Sequence, residues 1–195
     1  MKTVRLLLLA AAMAALAACY PPVTSHPVGS TSGLKPDAML DGLWKGQPHD
    51  TSERSVYFHF LPRPDGTITL ISVATGDKPD ADWNAITMTT GRAGNNRFMN
   101  IRLVSDNGKP EKDPVAGTIP VLYRLDAKGQ MTIWLTDENA TKEAIKSGKL
   151  KGTIGKGDYG DAVITADPAA LDRFMAGPAV RALYPKPFFT LKRME

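Results

Sequence analysis

Between Gly42 and Thr136, strand-forming runs recur at short intervals, and the turns between them constrain the fold more than any other feature. Gly42-Leu43-Trp44-Lys45 opens the region. Val56 to Leu61 is dense in β-branched and aromatic residues, which suit a pleated, half-buried surface. Pro62-Arg63-Pro64-Asp65-Gly66 then turns the chain, since proline fixes φ and Asp-Gly supplies a positive φ. Thr67 to Ala74 is predicted as the return strand, and Gly76 to Asp82 as a polar loop. Trp83 to Thr90 and Arg97 to Val104 are predicted to pair about the Gly91–Asn96 connection. Ser105 to Gly117 is a long polar loop, after which Thr118 to Leu125 and Met131 to Thr136 pair about Asp126–Gln130. Short strands and Gly-bearing turns predict a mainly β fold. Its architecture is an antiparallel meander, either a curled sheet or a barrel.

The strands alternate with period two. Val56, Phe58 and Phe60 share one face, and Tyr57, His59 and Leu61 the other. Ile119, Val121, Tyr123 and Leu125 oppose Leu122 and Arg124. Both faces carry apolar residues, as in a sheet covered on both sides or a barrel with a partly apolar lumen. Two short helices are predicted in the C-terminal part. Asp137 to Ser147 has an i,i+4 pair, Glu138 and Lys142, and stops at Gly148. The second is capped by Asp167, starts at Pro168, buries Leu171, Phe174 and Met175, and ends at Gly177-Pro178. Leu150 to Ile154, Asp161 to Ala166 and Pro187 to Arg193 are candidate strands. Residues 42–195 are expected to form one β-rich domain.

The N-terminus has a different chemistry. Lys2 and Arg5 precede an apolar run from Leu6 to Ala18 of about thirteen residues. A bilayer span needs about 20, so the run suits the core of a secretory signal. It ends in Leu16-Ala17-Ala18-Cys19, which resembles the lipobox of bacterial lipoproteins. The resemblance implies cleavage after residue 18 and lipidation of Cys19. Two or more chains, at about 0.8 kcal/mol per buried methylene, give stable anchoring. Tyr20 rather than Asp follows the cysteine, which leans toward the outer membrane, with the protein facing the periplasm. Residues 19–41, rich in Pro, Ser, Thr and Gly, are expected to be a lipidated flexible tether.

Removing residues 1–18 from 195 leaves 177, enough for one domain, and takes the formal charge from +4 to +2. So weak a balance argues against nucleic acid as a partner. Cys19 is the sole cysteine, so no internal disulfide forms.

No catalytic constellation stands out. Gly155-Lys-Gly-Asp-Tyr-Gly160 matches a dinucleotide fingerprint in form, but a strand rather than a helix is predicted after it. Asp80-Ala-Asp-Trp-Asn84 begins like a calcium loop, yet Ala85 and Gly91 stand where glycine and glutamate are needed. His26, His49 and His59 share no metal-ligand spacing. Neither a metal nor another cofactor is expected. Gly42-Leu43-Trp44 is similar to the Gly-x-Trp that opens lipocalin-type barrels, whose members carry small apolar ligands. The helix at Asp137 to Ser147 departs from that family's pattern and leaves strand count and closure open. A ligand site of this kind draws on Trp44, Tyr57, His59, Trp83, Tyr123, Arg124 and Trp134.

Two functions follow. One is a non-catalytic structural or interaction lipoprotein, with another envelope protein or the cell wall as partner. The other is a lipocalin-like binder of a small apolar or amphipathic ligand. The first asks less of the sequence; the second requires a continuous cavity of a few hundred Å³.

Overall fold

The computed structural model describes residues 21–48, 55–74, 82–106, 109–110, 117–155 and 162–194. Residues 1–20, with the expected signal segment and Cys19, and His49, Asp77, Asp80 and most of the Gly155–Gly160 motif lie outside the described residues.

The strands are β1 (Val23–Thr24), β2 (Gly42–Pro48), β3 (Val56–Pro62), β4 (Ile68–Ala74), β5 (Asp82–Ala93), β6 (Asn96–Asp106), β7 (Lys109–Pro110), β8 (Ile119–Leu125), β9 (Gln130–Trp134), β10 (Gly152–Ile154), β11 (Ala162–Ile164) and β12 (Phe189–Arg193). The α-helices are α1 (Glu138–Lys146), α2 (Pro168–Ala176) and α3 (Val180–Leu183). Strands β2, β3, β4, β5, β6, β8, β9 and β12 form an up-and-down antiparallel ring. It closes where β12 pairs with β2, setting Arg193 opposite Trp44 and Leu191 opposite Gly46. The curled sheet is thus a closed eight-stranded barrel, and closure leaves no open edge in the ring.

Alternation decides what fills it. Phe58, Phe60, Ile68, Leu70, Met88, Met99, Val121, Tyr123, Met131, Ile133 and Leu191 point inward and pack with Trp44 and Leu40 in one core. A second core lies outside the ring. Ala93, Phe98 and Leu122 project outward, and α1, α2 and α3 cover them with Leu171, Met175, Val180, Leu183 and Tyr184. The segment between β9 and β12 is therefore an insertion in the meander, folded back on one side of the barrel. Within it, β11 pairs antiparallel with β10 on one side and parallel with β1 on the other, making a separate three-stranded sheet.

The predicted Asp167 cap is in place, and Asp137, expected as the first residue of its helix, is a cap as well. Asp137 accepts from Ala140 N at 2.8 Å, and Asp167 from Ala170 N at 2.9 Å. Lys142 pairs with Glu138 at 2.8 Å. Three findings depart from expectation. Helix α3 is additional to the two predicted. The β5–β6 turn narrows to Gly94 and Asn95, with Gly94 at φ 57°, and the strands run on through Gly91. Residues 21–41, expected as a tether, are folded onto the barrel.

That last finding has identifiable causes. Val28 is fully buried, and Asn100 holds its backbone twice: Val28 N donates to Asn100 Oδ1 at 2.7 Å, and Asn100 Nδ2 donates to Val28 O at 3.0 Å. Asp172 on α2 accepts from Gly29 N at 2.6 Å, from Thr31 N at 3.0 Å and from the Thr31 hydroxyl. The backbones also approach closely. A Cβ on Gly91 would lie 2.2 Å from Val28 O, which is why glycine stands inside β5.

Candidate functional site

The two ends of the barrel lumen are built differently. At one end the chain folds over the opening. A 3-10 turn (Ala38–Leu40), capped by Asp37 accepting from Met39 N at 3.1 Å, pushes Leu40 into the core. Trp44 Nε1 donates to Leu40 O at 2.8 Å. The Arg193 guanidinium carbon lies 4.4 Å from the centroid of the Trp44 ring, and its nitrogens donate to Asp41 O and Met39 O. One residue thus contributes a cation–π contact and two hydrogen bonds. Beside it, Asp37 Oδ2 accepts from Arg97 at 2.8 Å and from the Tyr123 hydroxyl at 2.7 Å. Burial first, and the Asp37 hydrogen bond next, push the Tyr123 phenol far above its ordinary value of 10.0, so it stays a donor. The result is a plug.

At the other end, β2, β4 and β6 finish and β3, β5 and β8 begin. Here the inward-facing Val56, Ile86, Ile101, Ile119 and Phe189 are only partly buried, each about one strand step beyond side chains with almost no exposure. Trp44, Phe60, Ile68 and Met131 have no exposed surface at all. The lumen is packed through its middle, so the continuous cavity expected of a lipocalin-like binder is not what the core shows. What stays open is a mainly apolar rim at the opposite end, with Ser72 and Asn84 among its inward-facing residues.

The seven residues singled out as ligand contacts do not share one site. Trp44 and Tyr123 belong to the plug. Tyr57, His59 and Trp83 lie on the outer face of β3 and β5. Register places Tyr57 opposite Val73, Val73 opposite Trp83, and His59 opposite both Leu43 and Ile71. Lys45 Nζ sits 5.7 Å from the Tyr57 ring centroid. Arg124 is exposed on the outside of β8. Trp134 packs, partly buried, against the core beneath the insertion.

Sequence reasoning missed Asp37, Arg97 and Arg193. Asp37 lay in the supposed tether, and Arg193 pairs with Trp44 across 149 positions of sequence that carry no local signal. Arg97 stands at the start of a predicted strand, and its pairing with Arg92, a residue of the predicted turn, is visible only in the structure.

Among the described residues, no group of three or more His, Cys, Asp or Glu side chains could hold a metal ion. No described helix is long and apolar enough to cross a membrane. No family model, curated protein or solved structure matches the chain.

Proposed function

We propose that this chain is a non-catalytic, lipid-anchored envelope protein whose barrel takes a small apolar or amphipathic molecule at the rim opposite the plug. The observation carrying this reading is the exposure gradient along the lumen. Evenly packed barrels bury their inward residues at both ends. Here partly accessible inward-facing apolar residues are concentrated at one end, on Val56, Ile86, Ile101, Ile119 and Phe189, against Leu125 at the plug end. An occupant that covers them gains about 25 cal/mol per Å² of apolar area.

The path of the N-terminal segment supports a membrane amphiphile as that occupant. Thr24 pairs with Thr118, immediately before β8 begins at the open rim, through bonds of 2.8 and 2.9 Å. A lipid on Cys19 would then lie four residues from Val23, a leash of about 14 Å at full extension. The rim is thereby held close to the bilayer.

Native mass spectrometry of the chain extracted gently from the envelope tests this. A stoichiometric extra mass, lost on denaturation and absent from an Ile101→Asp, Ile119→Asp variant that still folds, is the expected result. Protein with the same mass in both forms would refute it.

A second reading rests on the outer faces. The insertion covers the outside of β6, β8 and β9. The outside of β2 to β5 presents Leu43, Tyr57, Ile71, Val73 and Trp83, with Trp83 37% exposed. Such a face suits another envelope protein. Crosslinking in intact envelopes, with Val73→Glu as the comparison, should lose its product in the variant if this reading holds.

A further inference from the structure

A groove of about 330 Å³ opens beside the plug, and nothing in the reading above uses it. Lys35, Asp37, Thr90, Arg92 and Tyr123 line it. Its wall is fixed to the barrel. Lys35 N donates to Thr90 O at 3.2 Å, Asp37 N to Thr90 Oγ1 at 3.0 Å, and the Thr90 hydroxyl to Lys35 O.

The charges around this groove are out of balance. Arg92 and Arg97 stand directly opposite each other where β5 turns into β6. Like charges in that position repel. Asp37 neutralises Arg97 at 2.8 Å. Arg92 and Lys35 are both exposed, and neither has a carboxylate partner among the described residues. Three cations against one carboxylate leave two positive charges at the groove. Unrelieved local conflicts of this kind concentrate at functional sites.

The acceptors point the same way. A carboxylate has about four acceptor positions. Asp37 fills three, with Met39 N, Arg97 and Tyr123. One remains for a ligand hydroxyl.

We propose that this groove binds a small phosphate-bearing organic anion, with Arg92 and Lys35 holding the phosphoryl group and Asp37 accepting from a hydroxyl on the organic part. A phosphomonoester carries about −1.5 to −2 charges at neutral pH, which matches the local excess. Arginine supplies a planar fork and lysine a point charge, the usual pair for phosphate. The volume exceeds what a bare phosphate needs, so the ligand has an organic body.

The test is calorimetric titration of the full chain in non-ionic detergent at constant ionic strength. The probes are inorganic phosphate, glycerol 3-phosphate and dihexanoylphosphatidic acid, whose headgroup is also a phosphomonoester. Glycerol 3-phosphate should bind saturably and more tightly than inorganic phosphate. Arg92→Ala and Lys35→Ala should each weaken it about tenfold or more. Tighter binding of the phosphatidic acid assigns the phosphate to a lipid headgroup, and weaker binding to a soluble metabolite. Arg92→Ala should melt no lower than the parent without ligand, because it removes a repulsion, and this separates lost binding from lost folding. Absence of saturable binding by all three probes, or unchanged affinity in both variants, overturns the proposal.

Discussion

The plug and the rim are made from the same eight strands, yet they are held by different physics. At the plug, Leu40, Trp44, Asp37, Tyr123, Arg97 and Arg193 interlock through packing, directed hydrogen bonds and one cation–π contact. At the rim, Val56, Ile86, Ile101, Ile119 and Phe189 meet with hydrophobic contact alone and retain accessible surface. A meander supplies inward-facing residues to both ends equally. What distinguishes them is the N-terminal strap, residues 21–41, whose last stretch, 37–41, crosses one end and leaves the other. Stability is thus concentrated at the plug, and apolar area is kept available at the rim.

The largest expected effect breaks this contrast directly. Trp44 has no exposed surface and fills the plug, so Trp44→Ala should cost about 3–5 kcal/mol in denaturant unfolding. Val56→Ala at the rim removes two methyl carbons from a partly buried site and should cost about 1 kcal/mol or less. Equal losses per carbon removed would mean that the two ends are equally packed, and the binding reading would lose its basis.

Alkaline pH separates the inside of the barrel from its outside. Tyr123 lies in the plug; Tyr184 lies outside, beneath the insertion, with its hydroxyl donating to Pro120 O at 3.1 Å. Burial pushes both phenols far above their ordinary value of 10.0. A raised native value means that the stability contribution is whole below pH 10 and lost as pH rises beyond it. Each tyrosine should remove about 1.4 kcal/mol per pH unit above that point. Tyr123→Phe or Tyr184→Phe alone should halve the slope these two phenols contribute, and the double substitution should remove it. A slope indifferent to both substitutions would show that neither phenol is held protonated.

Much of the barrel was legible because period-two alternation is a local signal. Val56, Phe58 and Phe60 had to share a face, and they do. Asp167 was readable as a cap because a cap acts within three residues. The strap was not legible. Its prolines, serines and glycines, which suggest a free linker, are instead held by partners distant in sequence: Val28 by Asn100, Gly29 and Thr31 by Asp172. Gly91 carried a trace of this, as a glycine inside a strand where another backbone comes close. The candidate site was less legible still. Aromatic residues mark burial on either side of a barrel wall, so Trp44, Trp83 and Trp134 scattered to the plug, the outer face and the space beneath the insertion.

Loosening the strap tests whether it is a structural part of the barrel. Asn100→Ala leaves the Val28 amide and carbonyl buried without partners, and Asp172→Ala strands the Gly29 and Thr31 amides. Each should cost about 1–3 kcal/mol. Amide exchange should rise first in residues 21–33 and only later in β8 and β9. Uniform acceleration would show that strap and barrel open as one unit.

The smallest expected effect concerns the last link in the plug. Arg193→Lys keeps a cation near the Trp44 ring but removes the fork that reaches Met39 O and Asp41 O together. Since Arg193 is largely exposed, water can replace part of what is lost, and the cost should be about 0.5–1 kcal/mol. The informative readout is local. Trp44 is fully buried, so its emission should shift red only if water enters when the turn at Ala38–Leu40 lifts. Trp83 and Trp134 contribute emission as well, and a Trp83→Phe, Trp134→Phe background isolates the signal. A red shift at unchanged global stability would make Arg193 the latch of the plug. An unshifted spectrum would leave closure to Leu40 and the Trp44–Leu40 hydrogen bond, and the plug would owe its integrity to the core beneath it.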